Sequence, residues 1–138
     1  LGRLVDELKL QREIEFSGRL AEGQKDAALR EAHLLLHTSV REGWGLNVTE
    51  ANAMGTPAVV YPVPGLEEST LHGKTGLVSE EESPESLAAA VRTALQQPEA
   101  YKKWRVTARD RARSLHWDNV LPGACDQLEA WAGAIPFD

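Results

Sequence analysis

Cysteine is nearly absent: the 138 residues contain one, Cys125. A single thiol excludes an internal disulfide framework and a cysteine-rich metal site, and it makes a reducing cytoplasm the natural compartment. Cys125 stands in an apolar helical stretch, where the expectation is a small buried hydrophobe. Positive charge is also scarce, with 15 Lys and Arg against 21 Asp and Glu and a formal net charge of -6. That deficit disfavours nucleic acid as a partner, because phosphate binding needs a surplus of Lys and Arg on one face. It weakens a polybasic membrane contact without excluding one. No apolar run reaches the roughly 18 to 20 residues of a membrane span. Leu1 to Leu10 lack the apolar core and small-residue cleavage site of a signal peptide, and the first residue is not methionine. A piece of a longer protein is expected.

What is present suits a globular domain. The composition is 42% hydrophobic and 26% charged, and the length fits one domain, 1–138, with a real core. Leu1, Leu4, Val5, Leu8 and Leu10 recur at helical spacing. Glu13 to Ser17 alternates polar and apolar and stops at Gly18, which predicts a short strand. A helix is expected over Gln24 to Ala32, and a buried parallel strand over His33 to His37. Asn47 to Met54 reads as a helix ending at Gly55. Pro57 to Tyr61 reads as a strand closed by Pro62 and Pro64, and Gly76 to Ser79 as another. Helices follow over Pro84 to Gln96, Glu99 to Ser114 and Asp118 to Ala132, the first with Ser83 as N-cap. Short apolar strands alternating with helices predict an α/β fold, a parallel sheet with helices on both faces.

The stretch from Thr38 to Pro57 is where chemistry concentrates. It follows a strand and opens a helix, so it lies at the carboxyl end of the sheet, where open α/β sheets bind ligands. Gly43 and Gly45 bracket Trp44 and let the backbone approach a ligand closely. The amides of Leu46, Asn47 and Val48 would form the helix start, whose unpaired N–H groups and positive dipole end favour a phosphate. Glu42 precedes the glycine turn, and Glu50 lies about a turn into the helix. Carboxylates so placed accept hydrogen bonds from vicinal hydroxyls, as on a ribose or sugar. A Gly-x-Gly turn before a helix is also often a plain tight connection, and the residues alone leave both readings open.

The run from Glu42 to Glu50 resembles the signature of the large retaining glycosyltransferase family numbered four, two glutamates separated by seven residues. Ala53 to Tyr61, Pro64 to Ser69 and Gly73 to Val78 are similar to that family in order and spacing. Glu15 to Gly18, His33 to Ser39 and His116 to Asp118 resemble its flanking elements, so the likeness covers nearly the whole chain. It implies the GT-B arrangement of two facing Rossmann-like domains, of which this is the C-terminal, donor-binding one. It also implies a nucleotide-diphosphate sugar as donor, no metal or other cofactor, and retention of anomeric configuration. By resemblance Glu42 contacts the transferred sugar, Glu50 the ribose, and the Leu46 to Val48 amides the distal phosphate. The Gly18, Arg19 and Leu20 loop borders the base. Cytoplasmic location is expected, with peripheral attachment to the inner face of the plasma membrane left open for a longer protein.

The departures concern what is missing. Trp44 stands where phenylalanine is usual, and Thr49 and Asn52 are polar in a helix often more apolar. The family's arginine and lysine that neutralise the pyrophosphate come with the first two strands of the domain, and these residues begin after them. The N-terminal acceptor domain is missing too. Alone, the chain is therefore expected to be inactive. In a 3-2-1-4-5-6 sheet, losing two strands would isolate Ile14 to Ser17, which predicts rearrangement, strand exchange or pairing with another chain. His33, His37, Glu67, Glu68 and Lys74 read as structural or solvated, and His72 as structural with a substrate contact left open. Trp104, Trp117 and Trp131 read as core or inter-domain surface. Two alternatives stay open: a GT-B-fold sugar-nucleotide epimerase, and a non-catalytic nucleotide-binding or interaction module.

Overall fold

Three apolar runs of the sequence become one small parallel sheet. The computed structural model describes residues 1–134, with helices α1 (Gly2–Glu7), α2 (Glu22–Glu31), α3 (Leu46–Ala53), α4 (Pro64–Ser69), α5 (Pro84–Leu95), α6 (Pro98–Ser114) and α7 (Trp117–Ala134). The strands are β1 (Leu35–His37), β2 (Ala58–Val60) and β3 (Gly76–Val78), in the order β1-β2-β3. Leu36 pairs with Val59 and Val59 with Leu77, both parallel.

The period of two along β2 decides which helix covers which face. Ala58 and Val60 pack with Val48 of α3, Val63 and Leu66 of α4. Val59 and Tyr61 point the other way, into Leu77, Leu87 and Ala94 of α5, and Trp104 of α6. Both faces of β2 are therefore covered, whereas β1, expected to be buried, is an edge strand on which Leu36 is exposed. The Trp104 indole donates to the Gly73 carbonyl at 2.7 Å, so its one polar atom is satisfied where the ring is buried. The start of α5 follows its cap chemistry: Ser83 accepts the Ser86 amide at 3.2 Å, with Pro84 in the first turn behind it.

Four other expectations change. Glu13 to Ser17 forms no strand, and Ile14 and Phe16 are exposed. Alternation gives a segment two faces but no neighbour, and an extended segment with no sheet edge beside it has nothing to take its backbone groups. The isolation expected for that strand does not arise, because the described sheet has three strands in chain order. Pro64 does not merely close β2; it opens α4 at the first helical position. Cys125 is exposed rather than buried. It lies on α7, which leaves Trp117, Leu128 and Trp131 at 60% exposure or more, so the apolar side of that helix is not used by this core.

The burial pattern sets unequal costs. Leu66→Ala removes a fully buried side chain and is expected to cost about 2–5 kcal/mol. Leu128→Ala, at 61% exposure, should stay within about 0.5 kcal/mol. Denaturant melts of the two variants check this.

Candidate functional site

The β1–α3 connection is held from below by α4. Gly45 is the residue before α3 and adopts a left-handed conformation, φ 80° and ψ 60°, which an L side chain rarely takes. A Cβ there would lie 2.8 Å from Cδ2 of Leu66. Gly65, in the first turn of α4, passes so close beneath the loop that a Cβ there would collide with the Glu42 carbonyl oxygen. Glu42 is thus fixed through its backbone by a helix that follows it in the chain.

The same glycine that allows the turn leaves the helix end open. α5 is closed by the Ser83 hydroxyl, whereas Gly45 has no side chain with which to cap α3. The Leu46 and Asn47 amides have no partner among the described residues, while the Val48 amide donates to the Gly45 carbonyl at 2.9 Å. The expected three-amide cradle is therefore two free amides and one engaged. Two unpaired N–H groups at the positive end of a helix dipole, at the carboxyl edge of a parallel sheet, suit an anion such as a phosphate.

Each flanking carboxylate meets a basic side chain. Glu42, 29% exposed, has Oε2 at 3.5 Å from Nε2 of His37, the last residue of β1. His37 Nδ1 accepts the Ser39 amide; a neutral imidazole so engaged carries its proton on Nε2, the atom that faces Glu42. Glu50 Oε1 accepts from Lys25 Nζ of α2 at 2.8 Å. That hydrogen bond is the main cause holding the Lys25 pKa above the usual lysine value. The Trp44 indole donates to Thr49 Oγ1 at 3.1 Å, which folds the aromatic ring onto the first turn of α3 and gives Thr49 a role. Asn52 is buried with its Oδ1 unpaired, and nothing in the structure explains it.

Glu42, Gly43, Gly45, Leu46, Asn47, Val48 and Glu50 thus lie together on the β1–α3 connection and the first turns of α3. The Gly18, Arg19 and Leu20 loop is exposed and leads directly into α2. Lys25 and the buttress α4 escaped the sequence reading; a helix following the Gly18 loop was the only available signal for Lys25. Other candidates resolve as structural or solvated. His72 Nδ1 accepts the Val78 amide at 3.0 Å, and His33, Glu67, Glu68 and Lys74 are exposed. A separate cavity of about 500 Å³ lies between β3 and α5, lined by Glu80, Glu81 and Glu85 and by no residue of the 42–50 segment. Among the described residues no group of three or more His, Cys, Asp or Glu is placed to hold a metal ion, and no helix is long and apolar enough to cross a membrane.

A parallel sheet with helices on both sides and an open helix end at its carboxyl edge defines a Rossmann-like domain. Residues 1–111 match the family model for glycosyl transferases group 1, and the chain belongs to that family. It is 31% identical over 114 residues to a D-inositol 3-phosphate glycosyltransferase of Corynebacterium glutamicum, covering 83% of this chain and 27% of that protein. It is 34% identical over 121 residues to a glycogen synthase of Mycobacterium tuberculosis, covering 85% of this chain and 29% of that one. The chain therefore spans less than a third of the length of these relatives. Among solved structures, sucrose-phosphate synthase of Thermosynechococcus elongatus superposes with a TM-score of 0.83 at 24% identity, over 97% of this chain and 34% of the other. HepE of Anabaena in complex with UDP-glucose gives 0.79 at 23% identity, over 94% and 35%. These likenesses show that the chain has the α/β fold of one part, about a third, of such GT-B proteins.

The buttress makes a direct prediction. Gly65→Ala should cost about 1–3 kcal/mol, because its Cβ meets backbone rather than a flexible side chain. Gly43→Ala, with nothing within 4 Å of the added Cβ, should stay within about 0.5 kcal/mol. Urea denaturation of both variants measures the difference.

Proposed function

We propose that this chain is the donor-binding part of a retaining glycosyltransferase, which transfers a sugar from a nucleotide-diphosphate sugar to an acceptor. The observation that carries the reading is the open α3 start, with the Leu46 and Asn47 amides unpaired between Glu42 and Glu50. In this reading the two amides receive the distal phosphate, Glu50 takes the ribose hydroxyls and Glu42 the hydroxyls of the transferred sugar. The Gly18, Arg19 and Leu20 loop borders the base. HepE, solved with UDP and with UDP-glucose, shares the fold and supports this class of ligand.

The chemistry follows from where charge develops. As the bond from the anomeric carbon to the diphosphate breaks, negative charge grows on the leaving phosphate. Fixed N–H dipoles aimed at that charge stabilise it without reorganising. Glu42 positions the sugar and does not attack it; no protein nucleophile is assigned. Its backbone is held by α4 and its side chain faces His37, which suits a group that must hold one geometry. The acceptor and the cations that balance the diphosphate are assigned to the rest of a longer protein, and closure of the two domains aligns the reactants. The donor site is proposed to work without a metal.

Calorimetry of the full chain with UDP, ADP and GDP, and with sugars attached to them, tests the reading. One nucleotide should bind, and Glu50→Ala should weaken it at least about tenfold, the loss of hydrogen bonds to a charged group. In the longer protein that carries the acceptor domain, Glu42→Ala should lower turnover about a hundredfold while leaving nucleotide affinity nearly unchanged. No nucleotide binding, or an inert Glu50→Ala, removes the assignment.

A further inference from the structure

The Lys25–Glu50 contact joins α2 to the carboxylate that the donor reading gives to the ribose. At 2.8 Å it is a formed, charge-assisted hydrogen bond. Its partners are 25 residues apart and lie on different helices. As a device for stability it has little value, because the two side chains are 37% and 43% exposed and exposed ion pairs contribute little. The same exposure leaves both groups open to a ligand. α2 follows the Gly18 to Leu20 loop, so Lys25 stands on the element that leads from the proposed base-binding loop.

The donor and acceptor inventory decides what the pair can recognise. A carboxylate offers acceptors only, and Lys25 already occupies Oε1 of Glu50. Oε2 is left for one hydroxyl. The ammonium has three N–H donors and uses one of them on Glu50, so it can donate to the oxygen of the adjacent hydroxyl. A vicinal diol presents what this pair lacks: one hydroxyl to donate to Oε2 and a second to accept from Nζ. The ammonium also offsets the Glu50 charge, which would otherwise repel a nearby diphosphate.

We propose that Lys25 is a ribose-recognition residue of the donor site, binding one hydroxyl of the vicinal pair while it holds Glu50 against the other. The assignment rests on the reading of Glu50 as the ribose carboxylate. It makes selectivity for ribo- over deoxynucleotides a property of two helices, α2 and α3, rather than of Glu50 alone.

The test is a set of calorimetric titrations of the full chain. The ligands are whichever of UDP, ADP and GDP binds, together with its 2′-deoxy and 3′-deoxy counterparts. The proteins are wild type, Lys25→Met, Lys25→Arg and Glu50→Ala, each with its melting temperature recorded. In wild type each missing hydroxyl should weaken binding about tenfold. In Lys25→Met the penalty for one of the two hydroxyls should collapse to within about twofold, and Lys25→Arg should restore most of it. If Lys25→Met weakens all three ligands equally, or lowers the melting temperature with both penalties intact, Lys25 is a general charge or a structural tie and the proposal fails. If Glu50→Ala removes the discrimination and Lys25→Met does not, the donor reading survives and only the role of Lys25 is lost. If no nucleotide binds, or Glu50→Ala changes nothing, both fall together.

Discussion

The site depends on one close approach of backbone to backbone. Gly65 runs under Glu42 with no room for a Cβ, so the loop that carries Glu42 rests on α4 rather than on solvent. Leu66, the next residue, is fully buried and belongs to the cluster of β2, Val48 and Val63. Core packing on one face of the sheet therefore fixes the height of the turn. That turn, left-handed at Gly45, sets where the Leu46 and Asn47 amides point. Sequence acts here through glycine at two positions, one for its conformation and one for its lack of volume.

Electrostatics builds on that scaffold by pairing. A helix start with two free amides attracts an anion, yet it lies between two carboxylates that oppose one. Each carboxylate has a basic neighbour, Lys25 for Glu50 and His37 for Glu42. These partners come from α2 and from the end of β1, elements that otherwise serve the fold. In the proposed site this lets acids assigned to hydroxyls sit beside amides assigned to a phosphate. The acid-lined cavity between β3 and α5 lacks both an open helix end and a Lys or Arg among its lining residues.

How legible this was in the sequence depends on how local each signal was. The apolar run at Ala58–Val60 was readable because a buried parallel strand is apolar on both sides, whereas Leu35–His37 forms an edge strand with Leu36 exposed, which an apolar run does not reveal. The Gly43 to Glu50 turn was readable because glycine and the helix start are neighbours in the chain. Glu13 to Ser17 misled because alternation describes a strand's faces and says nothing of a neighbour. Pro64 misled because a proline that ends one element also starts the next well. Cys125 misled because an apolar stripe on α7 cannot say whether anything covers it. The Lys25–Glu50 bond was illegible, since it depends on how α2 crosses α3 and no periodicity encodes that.

The central claim is that the start of α3 is the phosphate seat and Glu50 the ribose site. A crystal structure of the full chain with the nucleoside diphosphate that binds it tests this most directly. The account predicts the distal phosphate within about 3 Å of the Leu46 and Asn47 amide nitrogens, with a ribose hydroxyl on Glu50. A phosphate placed in the β3–α5 cavity, or a ribose turned away from Glu50 with the α3 amides bound only to water, would contradict it.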